Sequence, residues 1–377
     1  MTEEVTLLAV GDVDDRAPGT HFDLVRSILQ SGDITFGQLE FVLAGRERLT
    51  RVGEAVGSQG GLKDPRVGAR VLADAGFTVM SAASNHVMDQ GQQVLSDTIA
   101  AAEEHGIHLV GAGSTLKEAR QPVIVECKGV RVGFLAYLSV GNDDVWATDD
   151  HAGAVPLRAS TTYETVESIG GQAGAAPRVV TQTFPEDLAA MVEDVAALRS
   201  QVDILVVSAH WGIYQDPATV AMHRVEAAHA AIDAGADLIL GHHPHIIQGI
   251  EFYKGKAIFY ALNNFCLPVR GPDGRFISPD QHNDSQLTYI ARITIRDNAV
   301  TRVAAIPCYL ANAASGIDNL GYTTEPLPRA DARSEEVRQY MQWTCDCNKP
   351  DIRPRPFEPL LTTCAFDGDE ILITPTS

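Results

Sequence analysis

Five polar clusters in this 377-residue chain carry side chains able to bind a metal ion: Gly11-Asp12-Val13-Asp14, Gln38-Leu39-Glu40, Ser84-Asn85-His86, Ala209-His210-Trp211-Gly212 and Gly241-His242-His243-Pro244-His245. Carboxylates, one amide oxygen and several imidazoles brought to one place suit a borderline divalent ion such as Mn, Fe or Zn, and the oxygen-rich part also accepts Ca or Mg. Each cluster has an ordinary reading as well. Asp12 and Asn85 are residue types that cap helix N-termini, and a lone His210 could be a satisfied core histidine. The run His242-His243-Pro244-His245 is harder to place without a counter-charge. Three imidazoles on one loop titrate near neutrality and repel one another when charged, unless something anionic or metallic compensates.

The clusters sit where expected strands end, which is where open α/β sheets build their sites. Short β-branched runs alternate with amphipathic stretches, in the rhythm of a parallel α/β architecture. Strands are expected at residues 5–10, 34–39, 79–82, 130–138, 204–208, 238–240, 257–262, 287–295 and 300–306. Helices are expected at 21–30, 66–75, 92–105, 185–200, 218–234 and 335–344; in the third of these Val94, Leu95, Thr98, Ile99 and Ala102 share a face and Gly106 is a stop. Residues 141–185 and 268–285 read as long loops of the kind that form lids or bind substrate. We divide the chain into a catalytic domain over 1–310 and a C-terminal extension over 311–377, which either covers the site or forms an interface, as in a homodimer.

Composition narrows the partners. Asp and Glu outnumber Lys and Arg by 49 to 29, a net charge of -20, which disfavours nucleic acid and anionic membranes. No signal peptide and no long apolar run is visible, so a soluble, cytoplasmic protein is expected. The six cysteines lack the density of a secreted disulfide scaffold. Cys345-Asp346-Cys347 is more readily incidental than a metal site, because no second pair accompanies it.

Residues 5–307 resemble the CapA-like proteins of the poly-γ-glutamate capsule system, a branch of the calcineurin-like metallophosphoesterase superfamily. The resemblance is carried by Gly11-Asp12, Leu39-Glu40, the run from Ala83 to Gly91 with Ser84-Asn85-His86 and Asp89, His210-Trp211-Gly212, Ala234-Gly235-Ala236-Asp237 leading to Gly241-His242-His243-Pro244-His245, and Leu262-Asn263-Asn264-Phe265. It implies a four-layer αββα sandwich with a metal site at the strand ends, held by Asp12, Glu40, Asn85, His210 and His243. Two departures matter. Asp14 stands where the superfamily usually has the histidine of Asp-x-His, and Glu40 replaces a bridging aspartate, which argues against a dinuclear phosphatase centre. The chain also shows no membrane anchor and carries Ile213-Tyr214 after His-Trp-Gly, where capsule members often have an acidic residue.

Such a site supports hydrolysis, in which a metal activates water and a histidine protonates the leaving group. It also supports epimerisation, in which the metal stabilises an enolate between two acid/base groups. Lasso-peptide epimerases form an unanchored branch of the same family, so the expected activity is inversion of the C-terminal residue of a precursor peptide. Hydrolysis of a phosphoester or amide and capsule-polymer synthesis are the alternatives. The expected substrate is a peptide or small anion. We assign His86 and His245 as acid and base; Asp89, equally able to cap a helix, is the candidate carboxylate partner of His86, Asp12 or Asp14 pairs with His243 or His245, and Trp211 and Tyr214 are candidates to stack on substrate.

Overall fold

The computed structural model describes residues 4–14, 22–43, 64–165, 172–174, 177–267, 286–312, 322–347, 349–350 and 360–376. The first strand, Val5–Val13, shows why the architecture forms. It is apolar on both sides: Val5, Leu7 and Ala9 belong to one core, Leu8 and Val10 to another. A strand with side chains alternating to two apolar faces must be covered on both. The strand Ile204–His210 has the same character, with Ile204 and Val206 on one side and Leu205, Val207 and Ala209 on the other.

The first strand lies inside a ten-stranded sheet. Its parallel neighbours run outward as Ile34–Leu39, Val79–Ser81 and His108–Val110, and on its other side Leu287–Arg296 and Ala299–Asn312 continue the sheet antiparallel. A six-stranded sheet follows the order Ile250–Tyr253, Lys256–Phe259, Leu238–His242, Ile204–His210, Val130–Leu138 and Val123–Cys127. Its four central strands are parallel and its two edge strands antiparallel.

The two sheets pack face to face. Phe36 of one lies flat on Phe134 of the other, with ring centroids 5.6 Å apart and planes 5° from parallel. Helices Pro65–Ala75 and Gln92–Glu104 cover the outer face of the wide sheet through Ala69, Leu72, Ala75, Ala101 and Ala102. Helices Pro185–Arg199 and Met222–Ala234 cover the outer face of the narrow one through Met191, Val195, Leu198, Ala227, Ala228 and Ala231. These are the four layers αββα that the family resemblance implies. Local signals support the helices: Asp64 caps Pro65–Ala75 by accepting from Arg66 N, Pro65 opens its first turn, and Gly76 ends it in the left-handed region at φ 111°.

Several elements differ from expectation. The expected strand at 257–262 ends at Phe259, and the chain then crosses from the narrow sheet to the wide one, where Asn264–Cys266 pairs with the first strand. The expected helix at 218–234 begins only at Met222, because Thr219–Val220 pairs with Lys349–Pro350 instead. Within the expected loop 141–185, Ala159–Glu164 and Arg178–Thr183 form a two-stranded ribbon whose first strand is largely exposed and so lacks apolar alternation. His21, at the start of an expected helix, and the expected loop 268–285 lie outside the described residues.

The C-terminal segment belongs to the same core. Residue 310 falls inside the strand Ala299–Asn312, and the hairpin Thr362–Asp367 with Glu370–Pro375 adds to the wide sheet beside it. Helix Ala332–Cys347 places Val337, Tyr340, Met341 and Cys345 in the inter-sheet core, between the overhanging strands of the wide sheet and the edge strand Ile250–Tyr253. Among the described residues no helix is long and apolar enough to cross a membrane.

Because the Phe36 and Phe134 rings are shared by both sheets, Phe36→Ala is expected to lower unfolding free energy by about 3–5 kcal/mol, the usual cost of removing a buried ring. Urea denaturation reads this directly, and a loss below about 1 kcal/mol would mean that this contact does not hold the sheets together.

Candidate metal centre

The parallel strands of both sheets end at the same edge of the sandwich, and their last residues converge there. Asp12 lies near the end of Val5–Val13, Glu40 directly follows Ile34–Leu39, His210 ends Ile204–His210, and His242 ends Leu238–His242. The turn holding Asn85 and His86 lies beyond Val79–Ser81 and is tied to the second strand by Ser84. Its hydroxyl donates to Glu40 O at 2.7 Å and accepts from His86 N at 3.1 Å.

Close approach of the backbones makes this convergence feasible. A Cβ on Gly11 would lie 1.7 Å from Asn263 O, and one on Gly241 would lie 2.2 Å from Tyr260 O. Asp12 N donates to Asn263 O at 2.9 Å, so the crossing between sheets is fastened beside the first carboxylate. Three non-glycine residues here have positive φ: His243 at 95°, His245 at 56° and Asn263 at 69°. Each such conformation costs on the order of 1–3 kcal/mol and persists only when surrounding contacts impose it.

Asp12, Glu40 and His210 are 0%, 1% and 0% exposed, and one ligand atom from each lies within 4.8 Å of the others. Around them, Asn85 Oδ1 is 2.8 Å from His210 Nε2, and His243 Nδ1 is 3.2 Å from the same nitrogen. His245 Nδ1 lies 3.2 Å from Asp12 Oδ2 and its Nε2 lies 3.5 Å from Glu40 Oε1. His86 Nε2 is 3.8 Å from Glu40 Oε1, while its Nδ1 is 2.8 Å from Asp89 Oδ2. Asn85, His86, Asp89, His210, His243 and His245 are therefore gathered around the two carboxylates.

The donor set fits a divalent cation. Two carboxylates buried side by side need positive compensation. Asp12 Oδ1 makes no hydrogen bond among the described residues, and neither ring nitrogen of the fully buried His242 does so either. Burial, reinforced by neighbouring imidazoles, holds His210 well below the usual histidine range, and burial and His245 push His243 down to about 3. Both are thus neutral at physiological pH, the form in which an imidazole lone pair can bind a metal.

Other expected residues are placed differently. Asp14 stands just past the first strand, its amide N–H donating to Cys266 O at 2.7 Å. Trp211 is 1% exposed and packs in the outer core, its Nε1–H donating to Tyr260 O at 3.0 Å, so its ring is not offered to a substrate. Tyr214 is 52% exposed and meets the His245 ring edge-on at 5.4 Å, at the rim of the site.

Residues to which the sequence reading gave no role also take part. His242 Nδ1 lies 3.5 Å from Asp12 Oδ1, Asn264 Oδ1 lies 2.6 Å from His245 Nδ1, and Phe41 packs on the His86 ring at 4.3 Å. The Asn263-Asn264 pair was the available signal, because two adjacent amides after an apolar strand have no packing reason to be there. Cys345 is buried and accepts from Ile250 N at 3.3 Å, and among the described residues no group containing it could hold a metal.

A pH dependence follows. His210, His243 and His223, the last pushed by burial to about 3, stay neutral in the folded protein below the pH at which unfolded histidine protonates. The unfolded state therefore binds more protons below about pH 6.5, and stability is lost as pH falls through that value. For metal-free protein we expect the urea midpoint to decline from pH 6.5 to pH 5, at up to about 1.4 kcal/mol per pH unit for each histidine. A flat profile over that range, after chelation and dialysis, would contradict the buried-neutral assignment.

Residues 10–268 match the family described as bacterial capsule synthesis protein PGA_cap. The PGA biosynthesis protein CapA of Bacillus subtilis is 28% identical, over 65% of this chain and 56% of that protein. The capsule biosynthesis protein CapA of Bacillus anthracis is 32% identical, over 52% and 41%. A probable polyglutamine synthesis accessory protein of Mycobacterium tuberculosis is 34% identical, over 52% and 47%. The chain thus spans about half the length of the curated relatives it matches. With the family matched over most of its length, and its αββα sandwich and strand-end donor set in place, this chain belongs to the PGA_cap family, a CapA-like branch of the calcineurin-like metallophosphoesterase superfamily.

Proposed function

We propose that this chain is a metal-dependent enzyme of poly-γ-glutamate-type polymer synthesis, acting on an anionic, carboxylate-bearing substrate by hydrolysis or group transfer. One observation carries the reading: a buried cluster of two carboxylates and an imidazole, with the Asn85 amide against it, stands beside a histidine–aspartate pair at its edge. The relatives named for PGA and capsule biosynthesis support the polymer as the substrate class. The free cysteines are in keeping with a reducing, cytoplasmic setting.

Asp12, Glu40, Asn85, His210 and His243 would hold the ion. When bound, the ion would neutralise the two carboxylates and polarise a carbonyl or phosphoryl group of the substrate through its oxygen, which would also ease approach of a polyanion to a protein of net charge -20. His86 donates a proton to the leaving group from Nε2, and Asp89 accepts from Nδ1–H, fixing the orientation of the ring. Phe41 packs on the same ring and restrains it. His245, between Asp12, Glu40 and Asn264, is held too closely by the donor set to act as a free base. Tyr214 at the rim is the aromatic group available to the substrate.

Peptide epimerisation draws no support from the family or its relatives. Its two assigned bases, His86 and His245, both approach the same oxygen of Glu40, whereas inversion needs acid and base on opposite faces of one carbon.

The test uses purified protein loaded with Mn²⁺, incubated with γ-glutamate oligomers and with phosphorylated oligomers in deuterated water. Chelator-sensitive change in chain length or phosphate release is expected. In His86→Ala, turnover should fall about 10²–10⁴-fold, the usual worth of a positioned acid, with metal content unchanged. Deuterium gained at Cα without cleavage would overturn the proposal in favour of epimerisation.

A further inference from the structure

Among the described residues Arg224 is the most anomalous charge. It is 0% exposed, sits in the first turn of helix Met222–Ala234, and makes no ion pair among the described residues. A cation near a helix N-terminus opposes the helix dipole, and a buried charge without a counter-ion is costly. Burial lowers its pKa to about 9, so it remains charged at neutral pH. The fold alone gives no reason for such a residue, since an apolar side chain of similar length would pack there at lower cost.

Its contacts supply the reason. Nη1 donates to Gln248 Oε1 at 2.6 Å, Nη2 donates to Tyr260 O, and the guanidinium lies 5.3 Å from the ring centroids of both Trp211 and Tyr260. Gln248, itself 0% exposed, passes the link on, its Nε2 donating to Asp216 O at 2.5 Å and to Thr219 O at 3.4 Å. Gly212 lies against the guanidinium, where a Cβ would be 2.6 Å from Nη1, and has φ 97°. The loop so gripped touches the metal centre. Gln215 N donates to Pro244 O at 2.9 Å, Trp211 N donates to His242 O at 3.1 Å, and Tyr214 rests on His245. The Trp211-Gly212 pair thus belongs to the housing of Arg224.

We propose that Arg224 is a positioning residue for the metal centre: through Gln248, Tyr260 and Trp211 it clamps the 212–219 loop against the turn that carries His243 and His245. This rests on the reading of the site as a metal centre. The clamp lets the turn keep two histidines in left-handed backbone conformations, which the ligand geometry requires.

The test compares full-length wild type with Arg224→Met, Arg224→Lys and Gln248→Ala. Mn²⁺ affinity is measured by calorimetric titration, chymotryptic cleavage after Tyr214 by mass spectrometry, and global stability by urea unfolding. Arg224→Met should unfold at an unchanged or higher urea concentration, yet bind Mn²⁺ about 10–100-fold more weakly, as for loss of an outer support of metal ligands. It should also be cut faster after Tyr214. Arg224→Lys should recover part of both, and Gln248→Ala should reproduce both. Unchanged affinity and cleavage in Arg224→Met would overturn the proposal, as would losses that merely track a drop in global stability. Should Arg224→Met fail to fold, Gln248→Ala decides by the same criteria. Should wild type bind no Mn²⁺, the metal reading fails, and cleavage after Tyr214 alone decides whether the clamp exists.

Discussion

Two carboxylates, Asp12 and Glu40, are buried together at one edge of the sandwich, and much of the surrounding structure follows from the need to hold them there. Water is excluded, so their charge must be balanced by what the protein supplies. It supplies imidazoles kept neutral by burial, an amide oxygen and short backbone contacts, a set suited to a cation. The local backbone bears the cost. His243, His245 and Asn263 adopt conformations that side chains other than glycine rarely take, and Gly11 and Gly241 remove the Cβ atoms that would keep the strands apart.

The αββα sandwich explains why this concentration of donors is feasible. Neither sheet alone holds the set: Asp12 and Glu40 come from the wide sheet, His210 and His243 from the narrow one. Face-to-face packing through Phe36 and Phe134 sets the separation of the two strand ends. The crossing at 260–263 stitches the sheets together beside the site, since Asn264 pairs with Asp12 while Lys256–Phe259 is still part of the narrow sheet. The inter-sheet core and the candidate metal centre are therefore one construction, and the rigidity of the first is available to the second.

Polar residues in the interior serve the same end in a second tier. Ser84 joins the Glu40 backbone to the turn bearing Asn85 and His86, and Arg224 with Gln248 joins the Tyr214 loop to the histidine turn. In both cases a backbone carbonyl is the anchoring acceptor, which fixes the chain itself and leaves the candidate donor side chains to converge.

From the sequence by itself, most of the strands, the polar residue types that close them and the α/β class were readable, because apolar runs of strand length and the polar residues after them are local properties; the four-layer arrangement was implied only by the family resemblance. The ring of donor side chains is not local. Asn85 meets His210 across 125 positions and His243 meets Asp12 across 231, so only packing of the two sheets decides which polar residues face one another. The same cause explains why Trp211 turns inward to Arg224 when its neighbour His210 faces the carboxylates: consecutive strand-end residues diverge, and each is covered by elements far away in the chain. It also explains why Asn264 and His242 join the site, and why the C-terminal hairpin extends the wide sheet, since edge pairing rests on backbone groups that every residue carries alike.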